Sequence, residues 1–128
     1  MFVYKLSAER LIMVVNASNR LKILDWFRAV KERENLTFSM DDITADTAMA
    51  AIQGPKVMEM VAGFSREIPT LKRYRFAEKS LMVAKLTVSR TGYTGEDGVE
   101  VILPAGMVGM AMKMIMKGQD LGNPSAII

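Results

Sequence analysis

Strand-like and helix-like stretches are mixed along this chain, and most of the strand-like ones are joined by short turns. That arrangement constrains the fold more than any other feature, because short turns join antiparallel neighbours and leave no room for parallel crossovers. Residues 3–6 and 11–15 read as strands around Ser7-Ala8-Glu9-Arg10. Residues 36–43 and 47–52 read as two more, interrupted by Thr44-Ala45-Asp46. Residues 71–76, 81–90 and 99–103 complete the set, the last closed by Pro104. With three helical segments the order is ββαββαβββα, which predicts an α+β fold of antiparallel sheet with packed helices.

The helices carry their own signals. Ser18 and Asn19 are good N-caps, since their side-chain oxygens can satisfy the first free backbone N–H groups. Ile23, Trp26, Phe27 and Val30 follow at i, i+3, i+4 and i+7, an amphipathic helix ending near Glu34 with Trp26 as its core anchor. Gln53-Gly54-Pro55 is a turn, and Pro55 opens a helix over 55–62 that stops at Gly63, with Val57, Met60 and Val61 as its apolar stripe. Residues 65–70, including Pro69, read as a loop. In the strand over 81–90, Met82, Ala84, Leu86 and Val88 share one face, and Lys85 and Thr87 the other. The last helix, over 105–117, carries Met107, Met110, Met112, Met114 and Met116 around its whole circumference. Gly118-Gln119-Asp120-Leu121-Gly122-Asn123-Pro124 is expected to end it, so residues 1–118 are expected to form the domain and 119–128 an irregular tail ending in Ala126-Ile127-Ile128.

Composition narrows the chemistry. The 128 residues are half hydrophobic and about a quarter charged, a globular balance. Cysteine and histidine are both absent. Disulfides, thiolate metal sites, Cys nucleophiles and Ser-His or Cys-His pairs are therefore excluded. Acid–base chemistry falls to carboxylates, Lys, Tyr or a ligand. The formal charge is only +3, and the cations are scattered apart from Lys72-Arg73-Tyr74-Arg75, so no nucleic-acid partner is expected. No apolar run of roughly 18 residues suggests a membrane span. MFVYKLSAER lacks the layout of a secretory signal, and a cytoplasmic setting is expected.

Two places invite function. Asp41-Asp42 would point to opposite faces of a strand and so cannot readily chelate one ion, which favours solvated residues near a strand end. Arg90-Thr91-Gly92-Tyr93-Thr94-Gly95-Glu96-Asp97-Gly98-Val99-Glu100 is richer. Its glycines permit close approach of a ligand to the backbone, but it is neither a P-loop nor a dinucleotide fingerprint. By itself it reads as a hairpin loop. Alternation in the following strand favours Glu100 as an exposed residue. If buried instead, its carboxylate would need donors, and a heterocycle with two parallel N–H groups would satisfy both oxygens. Tyr93 can offer a stacking ring or a hydroxyl.

The segment from Arg90 to Glu100 resembles the signature of the aminomethyltransferase family, the T-protein of the glycine cleavage system. Met13-Val14-Val15-Asn16-Ala17-Ser18-Asn19 is similar to that family's strand–Asn–helix junction, with Asp25-Trp26 following. Ala51-Ile52-Gln53-Gly54-Pro55-Lys56 is similar to its Leu-Gln-Gly-Pro segment. The three motifs stand in the family's order. The resemblance implies transfer of a one-carbon unit from aminomethyl-lipoyl H-protein to tetrahydrofolate, releasing ammonia and giving 5,10-methylenetetrahydrofolate. By motif position it implies that Glu100 holds the pterin, with Tyr93, Asn16 and Val15 beside the cofactor and Ala17 next to them. No residue here matches the family's catalytic aspartate, which lies upstream of the segment matching Phe2-Val3-Tyr4, and Leu121-Gly122-Asn123-Pro124-Ser125 does not match its downstream arginine motif. The chain therefore reads as an internal piece or a shortened paralogue, inactive alone, with no catalytic residue and no metal ligand assigned.

Other classes remain open at this point. One is a non-catalytic folate-binding or protein-interaction domain on the same scaffold. The branch that assists iron–sulfur enzymes has a cysteine in its signature and is disfavoured here. Another is the folate-binding part of a dimethylglycine or sarcosine oxidising enzyme. The methionine-rich last helix and the apolar end suggest a homodimer.

Overall fold

The computed structural model describes residues 1–81 and 84–119. Met82, and the end of the chain from 120 to 128 with its Ala126-Ile127-Ile128, lie outside the described residues. The chain divides into two compact units, Met1–Asp41 and Asp42–Ile128.

In the first unit, strand β1 (Phe2–Lys5) pairs antiparallel with β2 (Leu11–Val14), with Tyr4 opposite Ile12. The turn between them is closed by Leu6 N–H donating to the Arg10 carbonyl at 2.9 Å. Tyr4 is buried and its ring stacks on Phe2. A 3-10 turn, Ala17–Asn19, then winds into helix α1 (Arg20–Arg33). Asn19 occupies the N-cap position, but its side chain makes no capping bond. The preceding turn takes over part of that role, since Asn19 and Arg20 donate to the carbonyls of Asn16 and Ala17.

Helix α1 forms where the apolar spacing predicts, but Trp26 is not a core anchor. It is 61% exposed and packs against Phe27 at 5.5 Å between ring centroids. Periodicity decides which residues share a face; it does not supply a layer to cover them. Two four-residue strands offer little apolar area for that.

Residues 36–43 are not a strand either. After α1, Asn35 takes a left-handed conformation (φ 50°) and Leu36 donates back to the Lys31 carbonyl at 2.9 Å. Asp42 then turns on itself: its Oδ1 accepts from the backbone N–H and the hydroxyl of Thr44 at 3.2 and 2.7 Å. Such local bonds compete with a strand ladder. Asp41 and Asp42 are exposed.

The second unit is a four-stranded antiparallel sheet in the order β3-β6-β5-β4. Its strands are β3 (Thr47–Gln53), β4 (Phe76–Leu81), β5 (Ala84–Ser89) and β6 (Gly98–Pro104). Helix α2 (Val57–Ala62) follows β3, and α3 (Val108–Gln119) follows a 3-10 turn after β6. Val57 and Val61 of α2, with Ile68, pack onto Val88 and Val99 of the sheet, flanked by Ile52, Leu86 and Val101. Val57 and Val61 of the expected stripe are in this core, but Met60 is not, and Met58 packs against it instead. Each such buried aliphatic side chain stabilises the fold by about 1.5–3 kcal/mol.

The strand expected over 71–76 starts only at Phe76. Tyr74 is left-handed (φ 62°) and Arg75 donates to Lys72, so the basic run is a turn. The expected long strand over 81–90 is instead the end of β4 and all of β5, paired with Leu81 opposite Ala84. Helix α2 starts two residues after Pro55, which lies in the turn. Helix α3 runs through Gly118 to Gln119, beyond the expected stop, because a helical glycine costs only about 1 kcal/mol and does not forbid the next turn. The observed order is ββαβαβββα, an α+β arrangement with both sheets antiparallel. Among the described residues no helix is long and apolar enough to cross a membrane.

Candidate functional site

The register of β5 on β6 sets the site. Ser89 lies opposite Glu100, and Ala51 of β3 lies opposite Glu100 on its other side. Side chains alternate along a strand, so Glu100 and Ser89 share the face opposite Val88, Val99 and Val101, which serve the core. That second face is polar yet covered. Thr87, Ser89, Thr91 and Glu100 are all buried, at 7%, 2%, 7% and 7% exposure. The exposed Glu100 that alternation favours is therefore corrected. Alternation gives the face but not its solvation.

The buried carboxylate has a donor. Thr91 gives its hydroxyl hydrogen to Glu100 Oε2. Thr91 Oγ1 in turn lies 2.7 Å from Ser89 Oγ, which is also 3.3 Å from the Glu100 carbonyl oxygen. Glu100 Oε1 receives no hydrogen bond from a described residue. A carboxylate oxygen has two acceptor positions, so capacity remains at both oxygens for a ligand with paired donors. These open acceptor positions match a planar heterocycle that donates from adjacent N–H groups.

The turn bearing this site is held from two directions. From β3, Gln53 Nε2 donates to the carbonyls of Thr91 and Val99 at 3.2 and 3.4 Å, and Thr94 Oγ1 donates to Gln53 Oε1 at 3.5 Å. The Gln53 side chain lies so close that a Cβ at Gly92 or Gly98 would meet it at 2.1 and 2.6 Å. A side chain at Gly92 would have to displace the end of Gln53, whereas at Gly98 it would also meet the Ile52 carbonyl oxygen, a backbone atom. On the opposite side Arg90 forks onto Asp97, Nε to Oδ1 at 3.0 Å, and donates Nη1 to the Leu71 carbonyl at 2.6 Å. The Asp97 hydrogen bond raises the Arg90 pKa, and the Arg90 hydrogen bond lowers that of Asp97, helped by the Gly98 N–H and the charge of Arg73.

Of the residues expected at the site, only Glu100 lies in this buried cluster. Tyr93 is on the same turn with its side chain 90% exposed. Val15 and Asn16 follow β2 in the first unit, the former half-buried and the latter exposed. Residue spacing alone assigns no individual role to Ser89, Thr91, Gln53, Arg90 or Asp97. The alternation of Thr87, Ser89 and Thr91 with Leu86 and Val88 is the available signal for Ser89 and Thr91.

A family model described as the GCVT N-terminal domain matches residues 1–125. The chain is 34% identical over 127 residues to an aminomethyltransferase of Oceanobacillus iheyensis, covering 95% of this chain and 34% of that protein. It is 36% identical over 126 residues to an aminomethyltransferase of Halothermothrix orenii, with the same two coverages, 95% and 34%. To a probable aminomethyltransferase of Natronomonas pharaonis it is 37% identical over 91 residues, 71% of this chain and 25% of that protein. The chain thus spans about a third or less of the length of these relatives.

Proposed function

Since the chain belongs to the GCVT N-terminal domain family, we propose that it is the folate-holding part of a glycine cleavage T-protein. The whole protein would pass a one-carbon unit from aminomethyl-lipoyl H-protein to tetrahydrofolate, releasing ammonia and giving 5,10-methylenetetrahydrofolate. The observation that carries this reading is the buried Glu100, with one oxygen held by Thr91 and acceptor capacity left over. Glu100 accepts from the pterin ring N–H and its exocyclic amino group and so fixes the plane of the ring. Charge-assisted bonds of this kind are worth about 1.5–3 kcal/mol each. Tyr93, Val15 and Asn16 are assigned to the same ligand by motif position. Tetrahydrofolate supplies the nitrogens that receive the carbon unit. The setting we assign is cytoplasmic.

A chain spanning a quarter to a third of the length of its relatives is expected to bind but not to turn over. Calorimetry with 5-formyltetrahydrofolate, a stable folate, tests binding. Methylenetetrahydrofolate formation with aminomethylated H-protein tests turnover. Saturable folate binding without turnover supports the reading. No folate binding, or turnover at the rate of an intact T-protein, contradicts it.

A further inference from the structure

We infer that Thr91 is a positioning residue for Glu100, setting which carboxylate oxygen is presented to a ligand. The inference rests on the reading of Glu100 as the pterin holder but concerns a different residue and a separable property.

A hydroxyl has one hydrogen, and the distances order three groups into a chain. Thr91 spends its hydrogen on Glu100 Oε2. It therefore cannot donate to Ser89, so the 2.7 Å contact between the two hydroxyls takes the Ser89 hydrogen, in preference to the Glu100 carbonyl oxygen 3.3 Å away. The sequence of donation is Ser89 to Thr91 to Glu100. All three side chains are buried, so bulk water does not compete strongly for these bonds.

The backbone makes the chain short. Ser89 and Glu100 are cross-strand partners, and Thr91 follows Ser89 by two residues. Gln53 pins the Thr91 carbonyl from β3, so the backbone that carries the hydroxyl is itself tied down. With Oε2 tethered, rotation of the Glu100 carboxylate is restrained and Oε1 keeps a fixed direction. Without the tether, a glutamate side chain samples several rotamers, and part of any binding free energy goes into ordering it.

Thr91→Val keeps the shape and removes the donor; Thr91→Ser restores the donor without the methyl. Two readouts are taken on the full 128-residue chain. One is the set of three-bond couplings reporting the Glu100 side-chain torsions by NMR, measured without ligand. The other is the Kd for 5-formyltetrahydrofolate. Thr91→Val is expected to change Glu100 from one rotamer to an average and to weaken binding about ten-fold. Thr91→Ser is expected to bring both back, and in a Glu100→Gln background Thr91→Val is expected to cost no further affinity. Ser89→Ala, which leaves the Thr91 hydroxyl but frees its direction, is expected to give a smaller change of the same kind, and decides the matter if Thr91→Val does not fold. A single Glu100 rotamer in both Thr91→Val and Ser89→Ala overturns the inference. So does wild-type affinity in Thr91→Val when Glu100→Gln binds weakly. If the wild-type chain binds no folate, the functional reading fails alone, and the torsion measurement still decides the role of Thr91.

Discussion

Arg90 grips Asp97 across the glycine-rich turn, Nε to Oδ1 at 3.0 Å and Nη2 to Oδ2 at 2.5 Å. The same guanidinium donates to the Leu71 and Pro69 carbonyls, so one side chain ties the turn to the segment before β4. The Arg90 hydrogen bond holds the Asp97 carboxyl below the usual carboxylate range. A folded-state pKa lower than the unfolded one stabilises the fold above the unfolded value, and the gain is lost as pH falls through the carboxylate range. Asp97→Asn is therefore expected to cost about 1 kcal/mol at neutral pH, a figure reduced for partial solvent screening. The difference from wild type should shrink below about pH 4. Urea unfolding of both proteins at neutral and acid pH checks the sign. A gap that widens on acidification would count against the pairing.

Gly98 pairs with Gln53, and a Cβ there would lie 2.5 Å from the Ile52 carbonyl oxygen, a backbone atom that cannot move aside cheaply. Gly98→Ala is expected to lose about 1–3 kcal/mol of stability. Gly106→Ala is the control, since nothing lies within 4 Å of its added Cβ. It is expected to be neutral or to stabilise by a few tenths of a kcal/mol, roughly, through the unfolded state. Chemical unfolding measures both.

The elements that could be read from the sequence are those whose signal is local. The i, i+3, i+4, i+7 spacing from Ile23 to Val30 placed α1, and Val57 with Val61 placed the core face of α2. Alternation and Pro104 placed β6. What failed depended on partners. Residues 36–43 look like a strand, but Asp42 closes a turn with Thr44 instead. Tyr74 takes a left-handed conformation that no residue type announces, which displaced the start of β4. Glu100 stands out in the sequence by motif position alone, while the hydroxyls of Ser89 and Thr91 come near it only through strand pairing. The Arg90–Asp97 fork joins residues seven positions apart and has no periodicity to reveal it.

Trp26 is the one tryptophan, so fluorescence reads its surroundings directly. With the side chain largely exposed, acrylamide is expected to quench it nearly as efficiently as a free indole. Trp26→Ala is expected to cost under about 1 kcal/mol, against about 3–5 kcal/mol for removing a buried aromatic side chain. A blue-shifted, poorly quenched emission would show a cover over α1.

Glu96 and Glu100 lie four residues apart in one motif, yet the turn leaves Glu96 exposed and β6 buries Glu100. Glu100→Gln replaces one acceptor oxygen with an N–H₂ group. The amide can still turn its oxygen to the Thr91 hydroxyl, so the fold should survive with little loss. The N–H₂ then faces the ligand, where a pterin N–H would meet another donor. Losing one charge-assisted bond corresponds to about ten-fold or more in affinity, since each 1.4 kcal/mol is roughly a factor of ten. Glu96→Gln changes an exposed side chain and is expected to alter the Kd for 5-formyltetrahydrofolate by less than about two-fold. Calorimetry on the two variants, with thermal unfolding as the check that both are folded, separates the roles. Equal affinities would place the pterin contact on a residue other than Glu100.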